Sequence, residues 1–520
     1  MADDLQNFGR EFLSLCQAKS QKAMIVYDQG NGIRQYTYKD VVAYCAKYHA
    51  FFADQGLKQG DTVVAIMPNS PEAIICFLAA AVRGIHYAPV PCTVSAREYR
   101  NWLELVKPSL VIKKDGIADY EADIPSFDCG CDGSMSWLDE YTGSLKTVNE
   151  ADANIYLLTS GTTGTPKAMS ISVNRLWGSG KAFVGHYGIE NSEYRFWNYL
   201  PMSYLGGLFN LCLIPLCCGG SFVISEPFSG KTFLNFWDYA GRHDITALWF
   251  VPSIVDGLLK IFKLVNGKNL QKYGEKIKIA FLGTAPIPLK KKQEFENATG
   301  IRMYENFALS ETTFLVAETE NDIRFREQGS VGKPLPYVQV RLVPINDMEE
   351  TKTIWVKTPY LFNGYMFKDR VVVPELDKDG YFNTHDIGRI NDDGVVVLEG
   401  RDRDIIKKGG LFVSLAEIES LVAALPEVDE AVAVPVPHDF YGESYDLYVS
   451  FKEKEKTDEQ KNRLFIWLTR NIVPYKMPNK IYIRDEFPRT ASGKIQKGKL
   501  KLYEEGWLNA QCGKTSTAKN

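Results

Sequence analysis

The chain has 520 residues, more than one hydrophobic core usually serves, so two or more domains are expected. Hydrophobic residues make up 45% and charged residues 24%, the balance of a soluble globular protein, and a formal net charge of −4 excludes general affinity for nucleic acid or membrane surfaces. Any basic site must therefore be local.

No apolar run is long enough for a transmembrane helix; Ala73 to Val82 and Leu211 to Ile224 are too short or are broken by Pro215 and glycines, and both read as core. The opening Met-Ala-Asp-Asp is acidic and has no apolar signal region, so no membrane insertion and a cytoplasmic location are expected. Ten cysteines are scattered. Only Cys129/Cys131 and Cys217/Cys218 lie close together, without zinc-ligand or redox spacing, which suits free buried thiols in a reducing compartment.

Residues 1 to about 150 alternate helical and strand patterns, an α/β layer architecture. Tyr38 to Gln55 is a helix with Gly56 at its end, Thr62 to Met67 a strand, Pro71 to Val82 a helix and Tyr87 to Val90 the next strand, together a βαβ unit. The apolar run Ile155 to Leu158 then reads as a buried strand feeding Thr159-Ser160-Gly161-Thr162-Thr163-Gly164-Thr165-Pro166-Lys167. Hydroxyls there can donate to phosphate oxygens, Gly161 and Gly164 let backbone N–H groups approach, and Lys167 adds a positive charge. Gly, Ser and Thr also make linkers, but a run leaving an apolar strand and ending Pro-Lys favours an anion loop. Its spacing is not that of a Walker A loop.

This stretch resembles the phosphate-binding signature of the adenylate-forming enzymes: acyl- and aryl-CoA synthetases, peptide adenylation domains and beetle luciferases. Further motifs follow in the order this resemblance requires. Leu200 to Gly207 carries Tyr204 where CoA ligases have a His or aromatic residue beside the substrate carboxylate; core packing is an equal reading for it. No Asp stands nearby to hold a substrate ammonium, which argues against an ordinary α-amino acid. Ala247 to Pro252 and Ile279 to Pro286 read as strands ending in turns. Ligands of open α/β sheets lie beyond such ends, so Phe250, Val251, Phe281, Gly283 and Thr284 together are candidate pocket lining for an apolar acid, while each taken alone reads as core. The resemblance assigns Gly283, Thr284, Ala285 and Asn306 to the nucleotide.

Tyr304 to Glu311 is similar to the family's Tyr-Gly-x-Thr-Glu motif. The resemblance implies that Phe307 stacks on adenine, Ser310 meets the α-phosphate and Glu311 holds Mg²⁺. Tyr381 to Asp386 implies a ribose-binding role for Asp386, with His385 replacing the usual glycine. Such a residue fits only if the backbone there avoids positive φ. Within Gly400 to Gly410 the resemblance makes Arg401 a ribose contact, Arg403 a hinge, and Lys407 part of a loop serving the thioester step. Ser414 and Glu417 form a helix-start pattern. Pro488 to Ile495 places Lys494 on the family's catalytic lysine.

The implied fold class is α/β: a large N-terminal domain of α/β layers with a smaller β-barrel-like subdomain, residues 1–402, plus a small mobile α+β C-terminal domain, residues 403–520. The implied chemistry uses ATP and Mg²⁺ to turn a small carboxylic acid into an acyl-adenylate, which a thiol then opens. Coenzyme A and the phosphopantetheine of an acyl carrier protein both end in that thiol. A luciferase-like monooxygenase and a non-catalytic nucleotide-binding relative are the alternatives from other classes. Ala168, Ala308 and His385 lean toward the second, and the retained Lys494, Glu311, Asp386 and Arg401 lean against it.

Overall fold

The computed structural model describes residues 7–500, apart from 31, 95, 118–123, 146–151, 160–166, 227, 265–273, 286, 346–347, 368–369, 409–410, 454–456 and 490–494. The chain separates into two compact units, Met1–Gln339 with Val356–Phe382, and Val340–Trp355 with Asn383–Asn520.

The first unit holds two large sheets. In one the strand order is Arg370–Val372, Gly364–Phe367, Lys167–Ser172, Asn154–Thr159, His86–Pro89, Thr62–Ile66, Leu110–Lys114, Ser126–Cys129. In the other it is Lys333–Pro334, Thr313–Ala317, Met303–Leu309, Ile279–Leu282, Ala247–Phe250, Arg195–Asn198, Ser221–Ile224, Ala23–Asp28, Ile33–Thr37. The expected βαβ unit is present: Thr62–Ile66 and His86–Pro89 pair in parallel across the helix Pro71–Arg83.

That helix is built by its ends. Ser70 accepts from the Ala73 N–H at 3.3 Å, Pro71 occupies the first turn, and Gly84 closes the helix at φ +74°. Residues 71 to 82 are all buried, so the helix is enclosed on every side rather than amphipathic. Its Glu72 is also buried; one carboxylate oxygen accepts from the Gly133 N–H at 2.7 Å, and burial pushes its pKa up.

The run from Leu211 to Ile224 is core as expected, but its first part belongs to a π-helix, Gly206–Leu213, which passes into the helix Ile214–Cys217 before the strand Ser221–Ile224. An eight-residue π-helix has no signature in hydrophobic spacing.

In the second unit Val428–His438, Gly442–Phe451, Ile405–Lys408, Leu411–Ser414 and Lys480–Ile483 form a five-stranded sheet. The helices Leu415–Ala423 and Thr457–Asn471 close a core on it with Leu415, Ile418, Tyr445, Leu447, Leu464 and Leu468. Ser414 caps the first helix by accepting from the Glu417 N–H at 3.3 Å. A further four-stranded sheet runs in the order Gln339–Ile345, Met348–Lys357, Phe382–Ile390, Val396–Arg401. No helix among the described residues is long and apolar enough to cross a membrane.

Helix Tyr38–Asp54 leans on Pro71–Arg83 through His49, whose Nε2 lies 2.8 Å from the Ala79 carbonyl. A carbonyl only accepts, so Nε2 carries the proton. Burial lowers the pKa of this imidazole to about 4, against the hydrogen bond, and Arg83 adds to the lowering. Between pH 6.5 and 4 the folded chain therefore binds fewer protons at His49 than the unfolded chain. Its contribution is whole above pH 6.5 and is lost as pH falls. In denaturant titrations over that window, the parent is expected to lose on the order of 2 kcal/mol more stability than His49→Gln. Equal losses would contradict the assignment.

Candidate active site

The Thr159–Lys167 stretch leaves and re-enters one sheet: Asn154–Thr159 and Lys167–Ser172 pair antiparallel, with Thr159 opposite Lys167. Ser160, Gly161, Thr162, Thr163 and Gly164 lie outside the described residues.

The second sheet brings three predicted positions together at the carboxyl ends of its parallel strands. The Gly283 N–H donates to the Phe250 carbonyl at 3.2 Å, and Asn306 Nδ2 donates to the Leu282 carbonyl at 3.0 Å. A side chain at 283 would stand 2.8 Å from Asn306 Oδ1, so glycine is what permits this closure. Thr284 follows, exposed and at φ +76°, an unfavourable region for a β-branched residue; Ala285 is half-buried. Phe250 and Phe281 are wholly buried, their rings packed on Phe295 and Trp249 at 5.1 and 4.8 Å, and Val251 is buried in the same core as Phe250. These three side chains lie in the core, and the strand-end backbone carries the convergence.

Tyr204 is 40% exposed, and partial burial, then the Glu98 carboxylate, raises its pKa. The loop carrying it is tied down by Asn69, which donates to the Leu200 carbonyl at 2.8 Å and accepts from the Met202 N–H at 2.9 Å. Asn198 donates to the Gly207 carbonyl at 2.9 Å.

Met303–Leu309 continues from Asn306 to Phe307, which is buried, then turns through the exposed Ser310 and half-buried Glu311 into Thr313–Ala317. The pairing slips by one residue between Phe307 and Ala308, a bulge that re-aims the side chains beyond it. The Phe362 N–H donates to the Glu311 carbonyl at 2.7 Å, and the Tyr365 hydroxyl donates to the Glu311 carboxylate.

Behind this strand lies a buried ionic cluster. Lys292 Nζ sits 3.0 Å from Glu305 and 2.7 Å from Glu318, while Arg326 joins Glu318 to Glu296 and donates to the Met303 carbonyl at 2.7 Å. Burial pushes the Glu305 carboxyl up; at Glu318 the same penalty is outweighed by Arg326 and Lys292, which hold it down. Removing one partner would strand a buried charge. The Lys290-Lys291-Lys292 run resembles a solvated face, so only the fold reveals Lys292.

In the second unit Asp386 and Arg401 stand opposite each other on paired strands, and Arg401 Nε donates to Asp386 Oδ1 at 2.9 Å. The Asp386 N–H donates to Thr384 Oγ1 at 3.1 Å, and that hydroxyl donates to the Ile354 carbonyl at 2.7 Å. His385, expected to require a negative φ, instead adopts φ +60°. The left-handed turn is held from two sides: the His385 N–H donates to Asn383 Oδ1 at 2.8 Å, and its Nδ1 lies 2.7 Å from Asp402. His is among the residues that tolerate this region best.

Arg403 lies in the one-turn helix Asp402–Asp404, and Lys407 pairs opposite Phe412. The neighbouring Lys408 is buried, donates to the Met477 carbonyl at 2.6 Å, and has its pKa lowered by burial. Lys494 lies outside the described residues, which resume at the bridge between Arg489 and Ile495.

Asn69, Asn198 and Tyr365 were not marked by any motif. Asn69 and Tyr365 act across large sequence separations, where spacing carries no signal, and Asn198 reaches only nine residues, to a backbone carbonyl that no side-chain pattern marks.

Malonate–CoA ligase of Arabidopsis thaliana is 30% identical over 372 residues, 67% of this chain and 60% of that protein, so the chain spans less than two thirds of that relative. Oxalate–CoA ligase of the same plant is 27% identical over 469 residues, 86% of this chain and 88% of that protein. In fold, the crystal structure of ATP-bound MatB from Rhodopseudomonas palustris superposes with a TM-score of 0.82 at 24% identity, covering 95% of this chain and 98% of that one. The AMP-binding enzyme model matches residues 15–366, and the AMP-binding enzyme C-terminal domain model matches residues 417–494. The chain thus belongs to the AMP-binding enzyme family, within the adenylate-forming superfamily that its motifs resemble.

Proposed function

We propose that this chain is an ATP-dependent, AMP-forming acid–thiol ligase that activates a small carboxylic acid and passes it to coenzyme A. The observation that carries the reading is the convergence of Phe250, Gly283 and Asn306 at the strand ends, directly followed in sequence by Phe307, Ser310 and Glu311. Ligands of open α/β sheets bind there. The names of the two plant relatives support coenzyme A as acceptor.

In the first half-reaction a carboxylate oxygen attacks the α-phosphorus of ATP, the bond to the β-phosphate breaks, and pyrophosphate leaves. In the second, the thiol sulfur attacks the acyl carbon, AMP leaves, and the thioester forms. The 159–167 loop would hold the β- and γ-phosphates. Phe307 would pack on adenine, Asp386 would accept the ribose hydroxyls with Arg401 fixing its carboxylate, and Ser310 would donate to the α-phosphate. Lys494 would bridge substrate carboxylate and α-phosphate, and Tyr204 would border the acid. Arg403 is assigned to a hinge at the 402/403 boundary, and Lys407 to the loop serving thioester formation.

Glu311 fits Mg²⁺ in kind, since that ion takes one or two carboxylates and completes its shell from phosphates and water. Among the described residues no three His, Cys, Asp or Glu side chains gather as a protein-only cage, so phosphate oxygens would supply most ligands. Bound there, magnesium would neutralise phosphate charge. A reducing cytoplasm suits the nine described cysteines, all free and eight of them buried, even with the Cys129 and Cys131 sulfurs 3.2 Å apart.

Exchange of labelled pyrophosphate into ATP, scanned over carboxylic acids, is expected to depend on one acid class, with coenzyme A thioester formed on adding that thiol. Exchange with no acid contradicts the ligase, and thioester formation only on a carrier protein contradicts the acceptor. Lys494→Ala is expected to slow acid-dependent exchange on the order of 10²–10³-fold, the usual cost of losing a preorganised donor. Exchange at the parent's rate would remove Lys494 from this role. Arg403→Pro, which restricts φ at the pivot, is expected to spare exchange and suppress thioester formation in stopped assays. Equal loss of both half-reactions argues against a hinge there.

A further inference from the structure

The Glu311 carboxylate is held in place by a residue from a distant part of the chain. Tyr365 sits on Gly364–Phe367, opposite Met169 on the strand that leaves the 159–167 stretch, and its hydroxyl donates to Glu311 Oε1. Its ring packs edge-on against Phe362 at 4.9 Å, and the Phe362 N–H donates to the Glu311 carbonyl at 2.7 Å. One short segment, 362–365, therefore holds residue 311 at both main chain and carboxylate.

A glutamate has three rotatable side-chain bonds, and a free one must be ordered when it captures a cation. A phenolic O–H on one oxygen restricts those rotations before the cation arrives. Such partners of metal-binding side chains set ligand orientation. We infer that Tyr365 is a positioning residue for magnesium-dependent ATP binding, acting through Glu311. The inference rests on the metal-binding role proposed for Glu311.

Tyr365→Phe keeps the ring against Phe362 and deletes only the donor. In calorimetric titrations of ATP at graded Mg²⁺, this variant is expected to need about ten times more Mg²⁺ for half-maximal binding. AMP affinity without Mg²⁺, and the melting temperature, are expected to match the parent. A Mg²⁺ requirement equal to the parent's overturns the inference. So does a parallel loss of AMP binding, which would make the role one of folding. Glu311→Gln, titrated alongside, separates the two layers. If it leaves the Mg²⁺ requirement untouched, the role of Glu311 falls and that of Tyr365 with it. If it shifts that requirement while Tyr365→Phe does not, only the positioning role fails.

Discussion

Electrostatic repulsion between a carboxylate and a triphosphate is the constraint around which the proposed site is arranged. A chain of net charge −4 has no overall field to relieve it. Relief has to come from donors and cations fixed at a few points before the reactants arrive, because donors that must reorganise lose most of their advantage. Rigidity near those points is therefore part of the chemistry.

The described structure supplies such rigidity in the first unit. The ends of three parallel strands are joined by the Gly283 and Asn306 bonds, and the strand bearing Phe307 is backed by Lys292, Arg326 and their three carboxylates. That cluster is costly to desolvate and is strongly held only because every member is paired. It anchors the strand from the side away from Ser310 and Glu311 in sequence. In the second unit the Asp386–Arg401 pair is fixed by strand register rather than by loop conformation, so the carboxylate proposed for ribose is aligned by the sheet itself.

Much of this was legible in the sequence because it is local. Gly56 after the helix Tyr38–Asp54, and Ser414 with Glu417, announce helix ends through groups a few residues apart. The strand Ile279–Leu282 stops at Gly283 and Thr284 because a glycine and a hydroxyl residue interrupt the apolar run there. What escaped notice depends on partners far along the chain or on backbone state. Asn69 and Tyr365 reach residues more than fifty positions away. The π-helical register of 206–213 leaves apolar composition unchanged. His385 takes a positive φ because Asn383 and Asp402 hold it there, and no rule about glycine replacement anticipates those two bonds.

Attack by the substrate's own oxygen on the α-phosphorus is the central claim, and isotope transfer tests it most directly. With a substrate acid carrying ¹⁸O in both carboxylate oxygens, one turnover in the presence of coenzyme A is expected to leave a single ¹⁸O in the phosphate of AMP and none in pyrophosphate. Label appearing in inorganic phosphate, or AMP free of label, would contradict an acyl-adenylate pathway.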